Sequence, residues 1–151
     1  MQPEIDVEDW PDAQDWTDLT QRALSAAAHV EAAFANPRLI VSILFTTDAQ
    51  VLTLNREWRG KDKATNVLSF PMIARADLLA LCAKGPPEML GDIALAYETC
   101  AREAAAKGLT LPDHAAHLIV HGLLHLAGYD HETSPADADH MEGLEIKALA
   151  S

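Results

Sequence analysis

Cations, cysteines and long apolar runs are all scarce in this chain, and each scarcity narrows what it can be. Lysine and arginine together number 11 against 23 aspartates and glutamates, giving a formal net charge of -12. Nonspecific nucleic-acid binding draws most of its affinity from Lys and Arg on phosphate, so the balance argues against a general nucleic-acid binder. The two cysteines, Cys82 and Cys100, form no CxxC pair and suggest no disulfide framework, which points to a reducing compartment. The longest aliphatic stretch, Leu39 to Val41, extends only to Phe45 beyond Ser42, far short of the roughly 20 residues of a membrane helix. The acidic start, MQPEIDVEDW, has neither the basic nor the apolar region of a signal peptide. A cytoplasmic protein with no membrane partner is expected. At 151 residues the chain suits one domain, residues 1–151, large enough to bury a core without disulfides or a structural metal.

No repeat or low-complexity linker interrupts the chain, and short β-like runs alternate with longer helical ones. Ile5 and Val7 alternate with acids as in an edge strand, and Thr17 to Ala35 reads as an Ala-rich helix stopped by Asn36 and Pro37. Leu39 to Phe45 reads as a central strand. Asp48 is placed to cap a short helix carrying Val51, Leu52 and Leu54, which leads Arg56 and Arg59 into the next loop. Asn66 to Phe70, closed by Pro71, is the next strand. Residues 72 to 90 read as a loop with a helical turn at Asp77 to Ala83. Ile93 to Tyr97 is a fourth strand, and the Ala-rich segment to Lys107 is a helix ended by Gly108. Thr110, Pro112 and Asp113 mark the start of another helix, and Ser134 and Pro135 the start of a last one running to about Leu149. The expected fold is α+β, with a four-stranded mixed sheet and about five helices.

What the chain does have is histidine in one place. In HGLLHLAGYDH, His121 and His125 are four apart, so on a helix their Cβ atoms lie on one face about 5–6 Å apart. Gly128 offers the left-handed residue that ends a helix and turns the chain so that His131 returns toward the same point. Three imidazoles with an open fourth position form a catalytic zinc pattern. Purely structural histidines are the plain alternative, but Leu118, Ile119, Val120, Leu123, Leu124 and Leu126 make this helix apolar on nearly every side, and buried imidazoles need partners.

The spacing of His121, His125, Gly128 and His131 equals that of the metzincin proteases, HExxHxxGxxH, so the segment reads as a metzincin-like metal helix. Where those proteases carry a glutamate as general base, this chain has Gly122, which accepts no proton. Peptide hydrolysis by that route is disfavoured. Phosphodiester cleavage needs less help, because a cation can act as Lewis acid on a phosphoryl oxygen while an arginine meets the charge that develops. Arg56, Arg59, Lys61 and Lys63 form a small basic cluster within eight residues, and Arg59 has the donor fork suited to that work. On spacing alone Arg59 reads rather as a surface arginine, and the cluster equally as a solvated turn.

Three blocks carry a resemblance. HLIVHGLLHLAGYDH from His117 to His131, LNREWRGKDKATNVLSFP from Leu54 to Pro71 and LGDIALAYE from Leu90 to Glu98 resemble, in this order, the YbeY family of bacterial zinc-dependent endoribonucleases. Met141, Leu144 and Glu145 resemble the family's closing helix, while the first 38 residues carry little signature. The resemblance implies one zinc ion held by His121, His125 and His131 plus water, with Arg59 as the functional arginine. It implies cleavage of single-stranded ribosomal RNA in 16S 3′-end maturation and ribosome quality control. Zinc-bound water or hydroxide would attack the phosphodiester, with attack by the ribose 2′-hydroxyl as the alternative that leaves a cyclic phosphate. The implied partners are ribosomal RNA and the small ribosomal subunit, with ribosomal or GTPase proteins as further candidates. Asn66 departs from the Asp of many relatives but keeps a side chain able to bond turn backbone. Cys100 stands where a small helix residue is expected.

His117, one turn before His121, is a candidate to support a ligand or touch substrate, against plain packing. Asp130 is a candidate to orient an imidazole or accept a proton, against bonding local backbone. His114 and His140 read as exposed helix residues, and Ser69 and Asp92 as strand-end and turn residues. Two other functions remain open on the residues: a ribosome-associated binding factor with structural zinc and no cleavage, and a metzincin-like peptidase with an unrecognised base.

Overall fold

A computed structural model of the chain describes residues 1–129 and 134–150. The apolar run LIVSILFT makes β2, Leu39–Thr46, an inner strand of the sheet, because its odd-numbered residues bury on one face and Leu44 packs on the other. β2 pairs in parallel with β1, Gln2–Val7, on one side and with β4, Glu88–Ala96, on the other. β3, Val67–Pro71, runs antiparallel to β4 and closes the order β1-β2-β4-β3, the mixed four-stranded sheet expected.

The two faces are covered differently. Val41, Ile43, Phe45, Ile93 and Leu95 meet α1, Trp16–Ala28, and α5, Leu111–Leu126, in the main core. On the other face Ala94, Ala96 and Leu68 form a smaller cluster with Val51 and Leu54 of α2, Asp48–Arg59. A short α3, Arg75–Ala80, precedes β4, and α4, Tyr97–Lys107, and α6, Pro135–Leu149, complete the described helices. There are thus six α-helices and one 3-10 turn among the described residues, rather than about five helices.

Four local expectations need correction. The helix read over Thr17 to Ala35 breaks after Ala28 and resumes as a 3-10 turn, Ala32–Ala35, because Glu31 is extended and uses its carboxylate on the Ala33 amide and on Arg75. α2 is capped by Thr47, whose side chain accepts from Gln50 N, while Asp48 reaches instead to the Thr99 amide and hydroxyl. Arg56 and Arg59 stay in its last turn rather than entering the loop. Residues 72 to 90 contain α3 and the first part of β4. β4 starts earlier than Ile93 because Gly91, at φ 156, carries the strand through a register shift against Ile40 and Val41. A side chain there would run into the Phe70 carbonyl oxygen and Leu126.

The expected caps at the site end of the molecule are present. Thr110 accepts from Asp113 N, Ser134 from Asp137 N, and α4 ends on left-handed Gly108. Asn66 accepts from Val67 N, the local backbone bonding anticipated for it, and also donates to the distant Glu103 carboxylate. Cys100 is fully buried, and burial pushes its thiol up to about 12. No helix among the described residues is long and apolar enough to cross a membrane.

Candidate metal centre

α5 is packed on nearly every side, but not on all. From Leu118 to Leu126 every residue is buried except His121 and His125, and His117 continues the same half-buried stripe one turn earlier. Spacing of four puts the three imidazoles above one another along the helix. Gly122 lies about 100° round the helix from His121 and faces the sheet: a Cβ there would stand 3.0 Å from Ile93 Cδ1.

Two side chains from other elements hold the rings. His121 Nδ1 donates to Glu145 Oε1 of α6 at 2.6 Å, and His117 Nε2 lies 3.6 Å from the same oxygen. His125 Nδ1 is 2.7 Å from the Ser69 hydroxyl of β3. For His121 and His125 the contact fixes ring rotation and leaves Nε2 as the nitrogen on the far side of the ring from its anchor. Burial pushes the Glu145 carboxyl up, but hydrogen bonding and charge from His117 and His121 outweigh it and hold the group at about 2.

That depression sets a pH dependence. A carboxylate whose folded value lies below its ordinary 4.5 adds stability that is present above pH 4.5 and is lost as the pH falls toward 2. Metal-free protein is expected to lose melting temperature across that window. Glu145→Gln is expected to flatten the loss, measured by thermal melts at stepped pH; an equally steep loss in the variant would assign the acid sensitivity elsewhere.

A cavity of about 420 Å³ opens beside these rings, lined by Asn66, Lys107, His117, His121, Met141 and Glu145 among others. It lies where α4 ends, β3 begins, and α5 and α6 face each other. Arg59 is not among its lining residues; it is exposed at the end of α2, the helix on the other face of the sheet. Asp130 and His131 lie outside the described residues. Among the described residues no group of three His, Cys, Asp or Glu is placed to share an ion. His114 is 1 % exposed rather than on the surface, because its Nε2 donates to Glu103, which Asn66 also contacts. His140 is exposed, as expected.

Glu145 and Ser69 are the site residues that sequence reasoning did not place. Glu145 had a usable signal: it shares a face of α6 with buried Met141 and Ala148, and an acid on an apolar stripe asks for a partner. Ser69 had none beyond its strand position, since its partner is 56 residues away.

Comparison with known proteins agrees with the three sequence blocks. A family model described as "Endoribonuclease YbeY" matches residues 4–151. A protein of that name from Erythrobacter litoralis is 63% identical over 150 residues, covering 99% of this chain and 92% of its own. One from Novosphingobium aromaticivorans is 54% identical, covering 97% of this chain and 89% of its own. The solution structure of TM1509 from Thermotoga maritima superposes with a TM-score of 0.63 over 98% of this chain and 87% of that one. At 20% identity that likeness shows the fold alone.

Proposed function

Because the chain belongs to the YbeY endoribonuclease family, we propose that it is a metal-dependent endoribonuclease that cuts single-stranded ribosomal RNA during maturation at the small ribosomal subunit. His121, His125 and His131 would hold one zinc ion. The observation that carries this is the anchoring of two of those rings, His121 by the Glu145 carboxylate and His125 by the Ser69 hydroxyl. Imidazoles that bind metal characteristically give their other ring nitrogen to a carboxylate or similar acceptor, so the donor set fits zinc. When bound, zinc supplies a Lewis acid for phosphoryl oxygen and a water acidified toward neutral pH.

The chain's own residues divide the remaining work. Glu145, ionised at neutral pH, keeps the proton of His121 on Nδ1, and Ser69 holds the His125 ring in place. His117 shares the Glu145 oxygen and lines the cavity, where it can meet substrate. Arg59 would stabilise charge on the phosphoryl oxygens if RNA spans the edge of the sheet between α2 and α5. Lys107 is the single lysine or arginine among the described cavity residues and would meet a flanking phosphate. Lys107→Ala is expected to weaken binding of a short single-stranded RNA. It should also reduce the slope of log affinity against log salt by about 0.7, the value for one phosphate contact. Anisotropy titrations over a salt series would show this; an unchanged slope would remove Lys107 from the interface.

The decisive experiment is cleavage of a ribosomal RNA fragment by protein stripped of metal and then reloaded with zinc. Cleavage that returns only with the metal is expected. Cutting that is indifferent to metal would overturn the mechanism, and no cutting in either state would favour a non-catalytic ribosome-associated factor.

A further inference from the structure

α5 ends against a cluster of side chains that takes no part in the histidine stripe. Arg75, the first residue of α3, donates from Nη1 to the Ala127 carbonyl oxygen at 2.7 Å and to Glu31 Oε1 at 2.8 Å. Its guanidinium lies over the Tyr129 ring, 4.7 Å from the centroid. Tyr129 donates its hydroxyl to the same Glu31 oxygen at 3.2 Å, and the other Glu31 oxygen accepts from the Ala33 amide. The Glu31 side chain is only 7% exposed. Desolvation pushes its carboxyl up, yet Arg75 and the Ala33 amide hold it below the ordinary value.

Between Ala127 and Tyr129 stands Gly128, at φ 102, where a Cβ would lie 2.9 Å from Arg75 Cβ. The exit from α5 is therefore fixed in three ways: a carbonyl tied to Arg75, a left-handed glycine pressed against the Arg75 stem, and a ring held under its guanidinium. His131 follows Tyr129 by two residues in the sequence. With the Arg75 side chain 37% exposed, solvent screens the charge pair and it is a poor source of net stability. What this one adds is a defined direction for the chain.

We propose that Glu31, Arg75 and Tyr129 are positioning residues for the metal centre, setting the direction in which the chain leaves α5 toward His131. The assignment rests on the metal reading above, because it gives the cluster a ligand to aim. The network joins the 3-10 turn, α3 and the end of α5, so Ala127 and Tyr129, from which the chain continues, are tied to two elements outside the helix that bears His121 and His125.

The test is zinc affinity, by competition with a chromophoric chelator, together with the visible spectrum of the cobalt(II)-loaded protein. Arg75→Met is expected to weaken zinc binding 10- to 100-fold, the range for groups that orient ligands. Its cobalt spectrum should lose the intense bands of a four-coordinate site. Arg75→Lys should recover part of the affinity, since an ammonium still meets Glu31 but has no planar fork for Ala127 and the ring. A folded Arg75→Met protein with wild-type affinity and spectrum overturns the proposal. If Arg75→Met does not fold, Tyr129→Leu serves instead: it keeps the Arg75–Glu31 pair, removes the hydroxyl and the ring, and should cost about tenfold in affinity. Unchanged binding in it counts equally against the proposal. Zinc binding lost in His121→Ala but indifferent to Arg75 and Tyr129 overturns the clamp alone. A wild-type protein that binds no better than His121→Ala overturns the metal reading and the clamp with it.

Discussion

Replacing His121 by alanine is expected to abolish zinc binding and to reduce RNA cleavage to the buffer control. The change removes one of three proposed ligands, and a two-imidazole site has too few donors to retain zinc against water. It also strips Glu145 of its 2.6 Å contact, leaving a carboxylate whose side chain is 7% exposed to face His117 at 3.6 Å. A buried acceptor deprived of its donor costs about 1–3 kcal/mol, so the metal-free variant should also melt earlier. Glu145→Gln separates the two effects. It leaves His121 in place but offers a weaker acceptor, so zinc affinity should fall 10- to 100-fold without being lost. Chelator competition for affinity and gel assays for cleavage would read both. Full activity in His121→Ala would end the metal mechanism.

Introducing glutamate at Gly122, the position where a metzincin carries its base, is expected to unfold the protein rather than to create a peptidase. Gly122 is buried and points into the sheet, where Ile93 carbons stand 3.0, 3.3 and 3.4 Å from the position of a Cβ. A carboxylate forced there has no partner and must displace Ile93 from the main core. Burying an unpaired charge costs about 3–5 kcal/mol before the displaced core is counted, a large share of the roughly 5–15 kcal/mol that holds a domain folded. Gly122→Ala adds only a methyl against the flexible end of Ile93 and should cost about 1 kcal/mol. Denaturant midpoints of the two variants check the argument. A Gly122→Glu protein as stable as wild type would mean that its side chain escapes toward the histidine stripe, and peptide hydrolysis would then deserve assay. The missing base is thus a consequence of packing as much as of chemistry: glycine lets α5 sit close on β4.

Much of this arrangement was legible because its causes are local. Thr110, Ser134 and Gly108 bound their helices as read, through hydrogen bonds that span three residues or a left-handed turn. The apolar run from Leu39 to Phe45 reads directly as a central strand, and the four-residue spacing of His121 and His125 as one helix face. What escaped was set from afar. Glu31 breaks an Ala-rich helix because Arg75, 44 residues later, claims its carboxylate. The partners of His121 and His125 lie 24 and 56 residues away, on elements whose approach no spacing rule encodes. His114 looked like surface because its helical face cannot be assigned until α4 brings Glu103 to it. The fourth strand extends back from Ile93 through Gly91, where only the neighbouring Phe70 carbonyl and Leu126 reveal the close approach.

The burial pattern of α5 has a further consequence for how this helix tolerates mutation. Between His114 and Leu126 the positions not buried are Ala116, His117, His121 and His125. The helix therefore has almost no neutral ground, and a random substitution lands either in the core or on the imidazole stripe. In a saturation library selected only for folding, the stripe should accept changes that its neighbours refuse. Selected for RNA cleavage, the same stripe should become the least permissive part of the helix. Loss of His121 costs the fold only the modest stability of its Glu145 contact, so the fold can be kept after the site is gone.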